Sequence, residues 1–240
     1  MMHLSVLRLG RILIPPRLRP VMKRALRRAP AGFKYREELD YWRDQWRRGL
    51  FENSHYRSQM LAMAEENDER FIDQKIIADF GCGPQGTLTW AKSAKARIGI
   101  DVLADAYSEF DIRNQDMIYI TCMETSIPLP SNYVDVLFTM NAIDHVSHLE
   151  RMCAEIVRIL APGGSFIGSF NLLEPPTFSE PQTLTEDRIK TVLLRRLQVV
   201  SYRTAKRSRS GSVYQNFYDG NINPATLDRG DFLWVRAIKP

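Results

Sequence analysis

Little in this 240-residue chain points to an oxidising or metal-rich setting: it has three cysteines, Cys82, Cys122 and Cys153, odd in number and unclustered. That argues against a disulfide framework and against a cysteine-based zinc site, and it suits a reducing cytosol. No metal ligand set is expected. No apolar run approaches the length that spans a bilayer. There is no internal repeat and no long low-complexity tract. Acidic residues are missing altogether from residues 1–30, which hold eight of the 33 Lys and Arg residues. The other 210 residues carry 25 basic against 28 acidic side chains, so the formal net charge of +5 belongs to the N-terminal arm and the body is slightly acidic. A body without a dominant positive field argues against DNA and RNA as partners, and any nucleic-acid reading has to rest on the arm.

The arm, 1–32, alternates its cations with Leu, Ile, Val and Met and is broken by Pro15-Pro16. It reads as a basic amphipathic segment suited to peripheral contact with an anionic membrane, or as a plain surface extension. Arg8 and Arg11 interrupt its apolar stretch, and no small-residue cleavage site follows, which argues against a secretory signal. The expected location is cytoplasmic, with the membrane face as the variant the arm suggests. Residues 33–70 form a helical cap. Tyr35, Leu39, Trp42 and Trp46 fall on one helical face, as core anchors or a lid, and Asn53 is placed to cap a second helix bearing Tyr56, Met60, Met63 and Ala64.

From 71 to 240 the pattern alternates between strand and helix. Strands are expected at Ile76–Phe80, Arg97–Asp101, Met117–Cys122, Tyr133–Met140, Ser165–Phe170, Leu197–Thr204 and Phe232–Ile238. Helices are expected after the glycine-rich turn at Gly81, over Ala104–Phe110, through Leu149–Leu160 with a stop at Ala161-Pro162-Gly163-Gly164, and over Glu186–Arg196. Such alternation implies an α/β fold, a mostly parallel sheet with helices on both faces. A long loop bearing Tyr214, Phe217 and Tyr218 precedes the last strand, and its aromatics border the pocket or pack in the core.

The segment that carries chemistry is Ile76-Ile77-Ala78-Asp79-Phe80-Gly81-Cys82-Gly83-Pro84-Gln85-Gly86. A buried strand ends in an acid and enters a turn whose glycines permit left-handed backbone and close approach of a ligand. The glycine spacing alone also fits a dinucleotide fingerprint. The acid decides, because a carboxylate before the turn disfavours a pyrophosphate and suits a cationic ligand. Asp101, about 20 residues on, ends the next strand where an acid accepts ribose hydroxyls, or else caps the helix expected over Ala104–Phe110.

Taken together, Asp79-Phe80-Gly81-Cys82-Gly83, Gly99-Ile100-Asp101, Ile127-Pro128-Leu129-Pro130, Val134-Asp135-Val136-Leu137, Asn141-Ala142-Ile143-Asp144-His145-Val146 and Ile159-Leu160-Ala161-Pro162-Gly163-Gly164 resemble the class I S-adenosylmethionine-dependent methyltransferases, and within them the large small-molecule group. The resemblance covers about residues 70–175. It implies a Rossmann-like, seven-stranded, mostly parallel sheet with a late antiparallel strand, and S-adenosylmethionine as cofactor. It further implies that Asp79 and Gly81 hold the methionine portion, and that Cys82, Gly83 and Gly86 lie in or shape the turn. Asp101 would bind the ribose, with Val102 or Leu103 against the adenine. Met123 and Glu124 would flank the adenine, and Asn141 would meet the methionine end through its backbone. The turn is one residue longer than the common Gly-x-Gly-x-Gly form, and no aspartate stands near Cys122 or Met123. Asp144, His145 and His148 are the candidate bases, Asp144 and His145 first, against the plainer roles of a helix cap for Asp144 and packing for His145. The implied acceptor is a small molecule or glycan-type group, a hydroxyl being favoured. An RNA methyltransferase using the arm, a nicotinamide-dependent oxidoreductase and a non-catalytic binding protein are the alternatives.

Overall fold

A computed structural model describes residues 31–206 and 231–240. Seven strands form one sheet: β1 (Ile76–Phe80), β2 (Ala96–Asp101), β3 (Ile118–Thr121), β4 (Val134–Met140), β5 (Leu160–Asn171), β6 (Gln198–Ala205) and β7 (Phe232–Ile238). Their spatial order is β3-β2-β1-β4-β5-β7-β6. The pairs from β3 through β5 are parallel, and β7 lies antiparallel to both β5 and β6. The order reverses direction between β1 and β4, so the carboxyl ends of β1, β2 and β4 open one crevice, where open α/β sheets bind ligands.

Alternation along the strands divides the core in two. Ala78, Phe80, Leu137, Leu233 and Val235 face α3 (Leu149–Ile159), which buries Leu149, Met152, Cys153 and Ile156 against them. Ile77, Val136, Phe138, Phe232 and Trp234 face α2 (His55–Ala64), which contributes Met60, Met63 and Ala64. The end of α2 is pinned to the sheet by two cations. Arg203 of β6 donates to the carbonyls of Ala62 and Met63 at 3.1 and 2.8 Å, and Arg236 of β7 donates to that of Ala64. Guanidinium groups there satisfy the orphan carbonyls of a helix end and oppose its dipole. Helix α1 (Ala31–Arg47) packs its Tyr35, Leu39 and Trp42 against Leu103, Tyr107 and Phe110.

Five sequence expectations change. No helix follows the glycine turn: residues 81–95 run in turns. Pro84, Gly86 and the β-branched Thr87 and Thr89 resist helix there, and Leu88 and Ala91 still bury themselves beside α2. Ala104–Phe110 tightens to a 3-10 turn at Ala106–Phe110. Asn53 does not cap α2; its amide donates to the Gln85 carbonyl and Thr89 Oγ1, at 3.1 and 3.2 Å, and so braces the glycine loop. The segment after α3 is already strand from Leu160, which pairs with Val134 across a register shift. The helix over Glu186–Arg196 divides into α4 (Glu186–Val192), capped by Thr185, and a 3-10 turn at Leu194–Arg196. The arm and the loop with Tyr214, Phe217 and Tyr218 lie outside the described residues.

Candidate active site

A cavity of about 320 Å³ opens at the carboxyl ends of β1, β2 and β4. Its floor is Phe80, Gly81 and Cys82 from β1 and its turn, Ile100, Asp101 and Val102 from β2, and Met140, Asn141 and Ala142 from β4. Cys122 and Glu124 close one side and His145 with Val146 another. Helix α1 covers it with Lys34, Glu38 and Trp42, and α2 adds Tyr56 and Gln59.

The turn after β1 is built as its glycines suggest. Gly81, Gly83 and Gly86 all have positive φ, +75°, +57° and +77°. A side chain at Gly81 would run into the Ala142 methyl, and one at Gly83 would come 2.8 Å from the Trp42 ring. The turn is thus compressed between the β4 end and α1, where only glycine fits.

Asp79 is buried beneath this turn, 1% exposed. Its Oδ2 accepts from Thr87 Oγ1 at 2.6 Å, while Oδ1 has no partner. Burial above all, with Asp101 adding to it, pushes its carboxyl up to about 7. It does not itself line the cavity, but Gly81 and Thr87 on either side of it do. Asp101 is tied by both oxygens to backbone: Oδ1 accepts from Leu103 N at 2.9 Å and Oδ2 from Gly83 N at 3.1 Å. It therefore closes the turn after β2 and also lines the cavity; it caps no helix, since the 3-10 turn at Ala106–Phe110 follows Asp105. Burial raises its pKa above the ordinary carboxylate value, against these amide bonds.

The residues after β3 separate. Met123 is 71% exposed and outside the cavity, and its backbone makes an isolated bridge with Ser126. Glu124 does line it, and is held by the Tyr35 hydroxyl, by Ser147 N at 3.1 Å and by Lys34 at 3.8 Å. Cys122, read from sequence only as a free cysteine, lies just past β3 and joins Glu124 there.

Past β4, Asn141 takes the left-handed backbone (φ +48°) that Asn tolerates better than most residues. Its N–H donates to the Ser169 carbonyl at 2.9 Å, and Ser169 Oγ in turn accepts from Trp234 Nε1 at 3.0 Å, which fixes the β4 exit against β5 and β7. That N–H is consequently committed to the fold, and the side-chain Oδ1 accepts from Ser169 Oγ at 3.4 Å. His145 lines the cavity, with Nδ1 buried and unpartnered and Nε2 4.0 Å from a Glu180 oxygen. Desolvation, helped by Lys34, pushes its pKa down to about 4, so the imidazole is neutral at physiological pH. Asp144 sits behind it, buried and outside the cavity. It caps no helix: α3 begins after His148 without a side-chain cap. Burial, then Glu180, lifts Asp144 to about 8.

Lys34, Glu38, Gln59 and Thr87 are the cavity residues that motif reading does not find. The one signal for the first two is their i, i+4 spacing with Trp42 on α1.

These features match known proteins. Residues 78–168 match the family model described as a methyltransferase domain. Among solved structures, the chain is similar to the methyltransferase in the Haloferax volcanii complex with the Trm112 methyltransferase activator: 16% identity, 85% of this chain and 98% of that one, TM-score 0.60. An S-adenosylmethionine-dependent methyltransferase of Thermotoga maritima aligns at 14% identity over 87% and 99% of the two chains, TM-score 0.59. One from Mesorhizobium loti aligns at 18% identity over 74% and 96%, TM-score 0.55. No curated protein matches in sequence. Fold and family model define a class I S-adenosylmethionine-dependent methyltransferase domain. Residues 78–168 are thus a methyltransferase domain, and the chain is an enzyme with S-adenosylmethionine as its cofactor.

Proposed function

We propose that the chain methylates a hydroxyl of a small-molecule or glycan-type acceptor, using the cavity above β1, β2 and β4. The observation that carries this reading is the pairing of that cavity with a neutral imidazole at its β4 side. At about 320 Å³ the cavity falls at the low end of small-ligand pockets, and His145 holds a lone pair at neutral pH. The residues fit the cofactor: an unpartnered, buried Asp79 oxygen under the turn suits an ammonium group, and Asp101 stands where ribose hydroxyls are bound.

S-adenosylmethionine supplies a methyl group activated on a sulfonium. Asp79, Gly81 and Asn141 orient the methionine end, and Asp101 the ribose. Val102, Cys122 and Glu124 border the adenine side. Trp42 and the rest of α1 keep water from the crevice. His145 accepts the proton of the acceptor hydroxyl, with a Glu180 oxygen 4.0 Å from Nε2. The loop from Glu174 to Pro181 borders this side through Glu180, and Gln182 just after it donates its N–H to the Asp144 carbonyl at 3.2 Å.

Membrane-proximal action is the second part of the proposal. Its support is the arm's eight cations without an acid, each worth about 1 kcal/mol near an anionic leaflet. No helix among the described residues is long and apolar enough to cross a membrane. Cell extracts separated into metabolite, glycan, lipid and RNA fractions, incubated with methyl-labelled cofactor, test the acceptor class. Label in the small-molecule, glycan or lipid fraction is expected, and label confined to RNA contradicts the reading. Co-sedimentation with phosphatidylserine vesicles, for the full chain and for a variant with the eight arm cations changed to Gln, tests the arm; equal partitioning at low salt removes the membrane part.

A further inference from the structure

The Lys, Asp and Glu side chains lining the cavity are, with one exception, committed to protein partners. Lys34 donates to the His145 carbonyl and pairs with Glu124. Glu124 also accepts from Tyr35 and Ser147 N. Both oxygens of Asp101 accept backbone N–H groups. His55 sits at the rim, half exposed, 3.7 Å from Glu52. Glu38 differs: it lines the cavity and has no hydrogen bond or ion pair with the described residues. A carboxylate withdrawn from water without a partner is unfavourable, and burial with the nearby Asp101 charge pushes Glu38 up to about 7, Lys34 opposing.

Its position is fixed from both ends of α1. Lys34, Glu38 and Trp42 lie four residues apart on one helical face, about 6 Å between neighbours along the axis. Lys34 is anchored over the Glu124–His145 side, and Trp42 over Gly83, the residue whose N–H holds Asp101. Glu38 therefore lies between these two anchors on the helix that covers the cavity, near enough to Asp101 for the two charges to interact. The adenine side at Cys122 and Glu124 and the ammonium side at Asp79 and Thr87 lie to either side of it.

We propose that Glu38 is a cofactor-binding residue that accepts a ribose hydroxyl from α1, across from Asp101, so that the two carboxylates clamp the ribose diol between lid and sheet. This rests on the cofactor site described above and adds a ligand-binding role to the helix that covers it. The ribose hydroxyls supply the donors that Glu38 lacks. Their capture by α1 couples cofactor binding to the seating of the lid, so cofactor exchange requires α1 to lift.

The test is calorimetry on the full chain with S-adenosylhomocysteine, 5′-methylthioadenosine and the 2′,3′-dideoxy form of methylthioadenosine. Methylthioadenosine keeps ribose and adenine but not the amino-acid end, so Asp79 does not enter. Glu38→Gln and Glu38→Ala should each weaken S-adenosylhomocysteine and methylthioadenosine by about tenfold, the effect of losing one charge-assisted hydrogen bond. The dideoxy ligand should bind the wild type and both variants alike. Ligand-free melting temperatures should stay equal or rise, since an unpartnered carboxylate is removed. Affinity for methylthioadenosine unchanged within twofold in both variants overturns the proposal, with wild-type binding of S-adenosylhomocysteine showing that the cofactor site itself stands. A lowered melting temperature in both variants assigns Glu38 to holding α1 and also overturns it. Failure of the wild type to bind S-adenosylhomocysteine removes the cofactor site and the clamp together.

Discussion

Replacing Asp79 with Asn should stabilise the ligand-free protein and weaken cofactor binding, both from the same carboxylate. In the unfolded chain Asp79 ionises near 3.8; folded, it keeps its proton to about 7, chiefly because it is buried. Across that interval the folded state binds more protons than the unfolded one, so stability falls as pH rises, and the penalty is complete above about 7. At about 1.36 kcal/mol per pH unit the upper bound is about 4 kcal/mol. Asn has nearly the same shape, accepts from Thr87 Oγ1 as Asp79 does at 2.6 Å, and carries no charge to desolvate. Urea denaturation of wild type and Asp79→Asn from pH 5 to 8 reads the effect. The variant's advantage should grow with pH by up to about 1.4 kcal/mol per unit between 5 and 7 and then level off. At pH 8 the same substitution should lower affinity for S-adenosylhomocysteine about tenfold or more, because a buried partner of an ammonium is worth roughly 1.5–3 kcal/mol. A stability difference that does not vary with pH, or a variant less stable at pH 8, would refute the account of Asp79 as a strained carboxylate kept for a cation.

Gly81→Ala should destabilise the fold by roughly 2–4 kcal/mol, since φ is +75° and the added methyl meets Ala142; a melting temperature within a degree or two of wild type would contradict the compressed turn. Lys239→Met should lower stability by about 2 kcal/mol with cofactor affinity unchanged, because Lys239 Nζ donates to Asn132 Oδ1 at 2.7 Å and to the carbonyls of Val157 and Leu160 at 2.8 Å, at the end of α3 and far from the cavity. The His145 imidazole, depressed to about 4, should stay neutral in NMR titrations down to about pH 5; an inflection near its ordinary 6.5 would remove the neutral-base argument. Because its folded pKa is lowered, its contribution to stability is present above about 6.5 and is lost as pH falls through that value toward 4.

The strands were legible wherever burial on both faces produced a continuous apolar run: Ile76–Phe80 and Phe232–Ile238 are found with the expected bounds. Errors collected where local propensity competes with tertiary demand. The glycine loop reads as a helix start because that connection usually is one, but Pro84, Gly86 and two threonines leave too little to propagate a helix, and Asn53 holds it from outside. In the site, Gly81, Cys82, Asp101, Val102, Glu124, Asn141 and His145 line one cavity as their order on successive strand ends implied. Asp79 lies just beneath it. Asp144 and Met123 do not line it, since a residue's place after a strand says nothing of which way its side chain turns. Lys34 and Glu38 escaped for a related reason: polar residues on a helix read as a solvated face, and periodicity cannot separate water from a cavity that a ligand fills.

The central claim is that this crevice binds S-adenosylmethionine, and isothermal titration of the full chain with S-adenosylhomocysteine and, separately, with NAD tests it most directly. One S-adenosylhomocysteine per chain, weakened by Asp79→Asn and by Asp101→Ala and with no heat from NAD, is the predicted result; absence of S-adenosylhomocysteine binding, or binding that both substitutions leave unchanged, would contradict it.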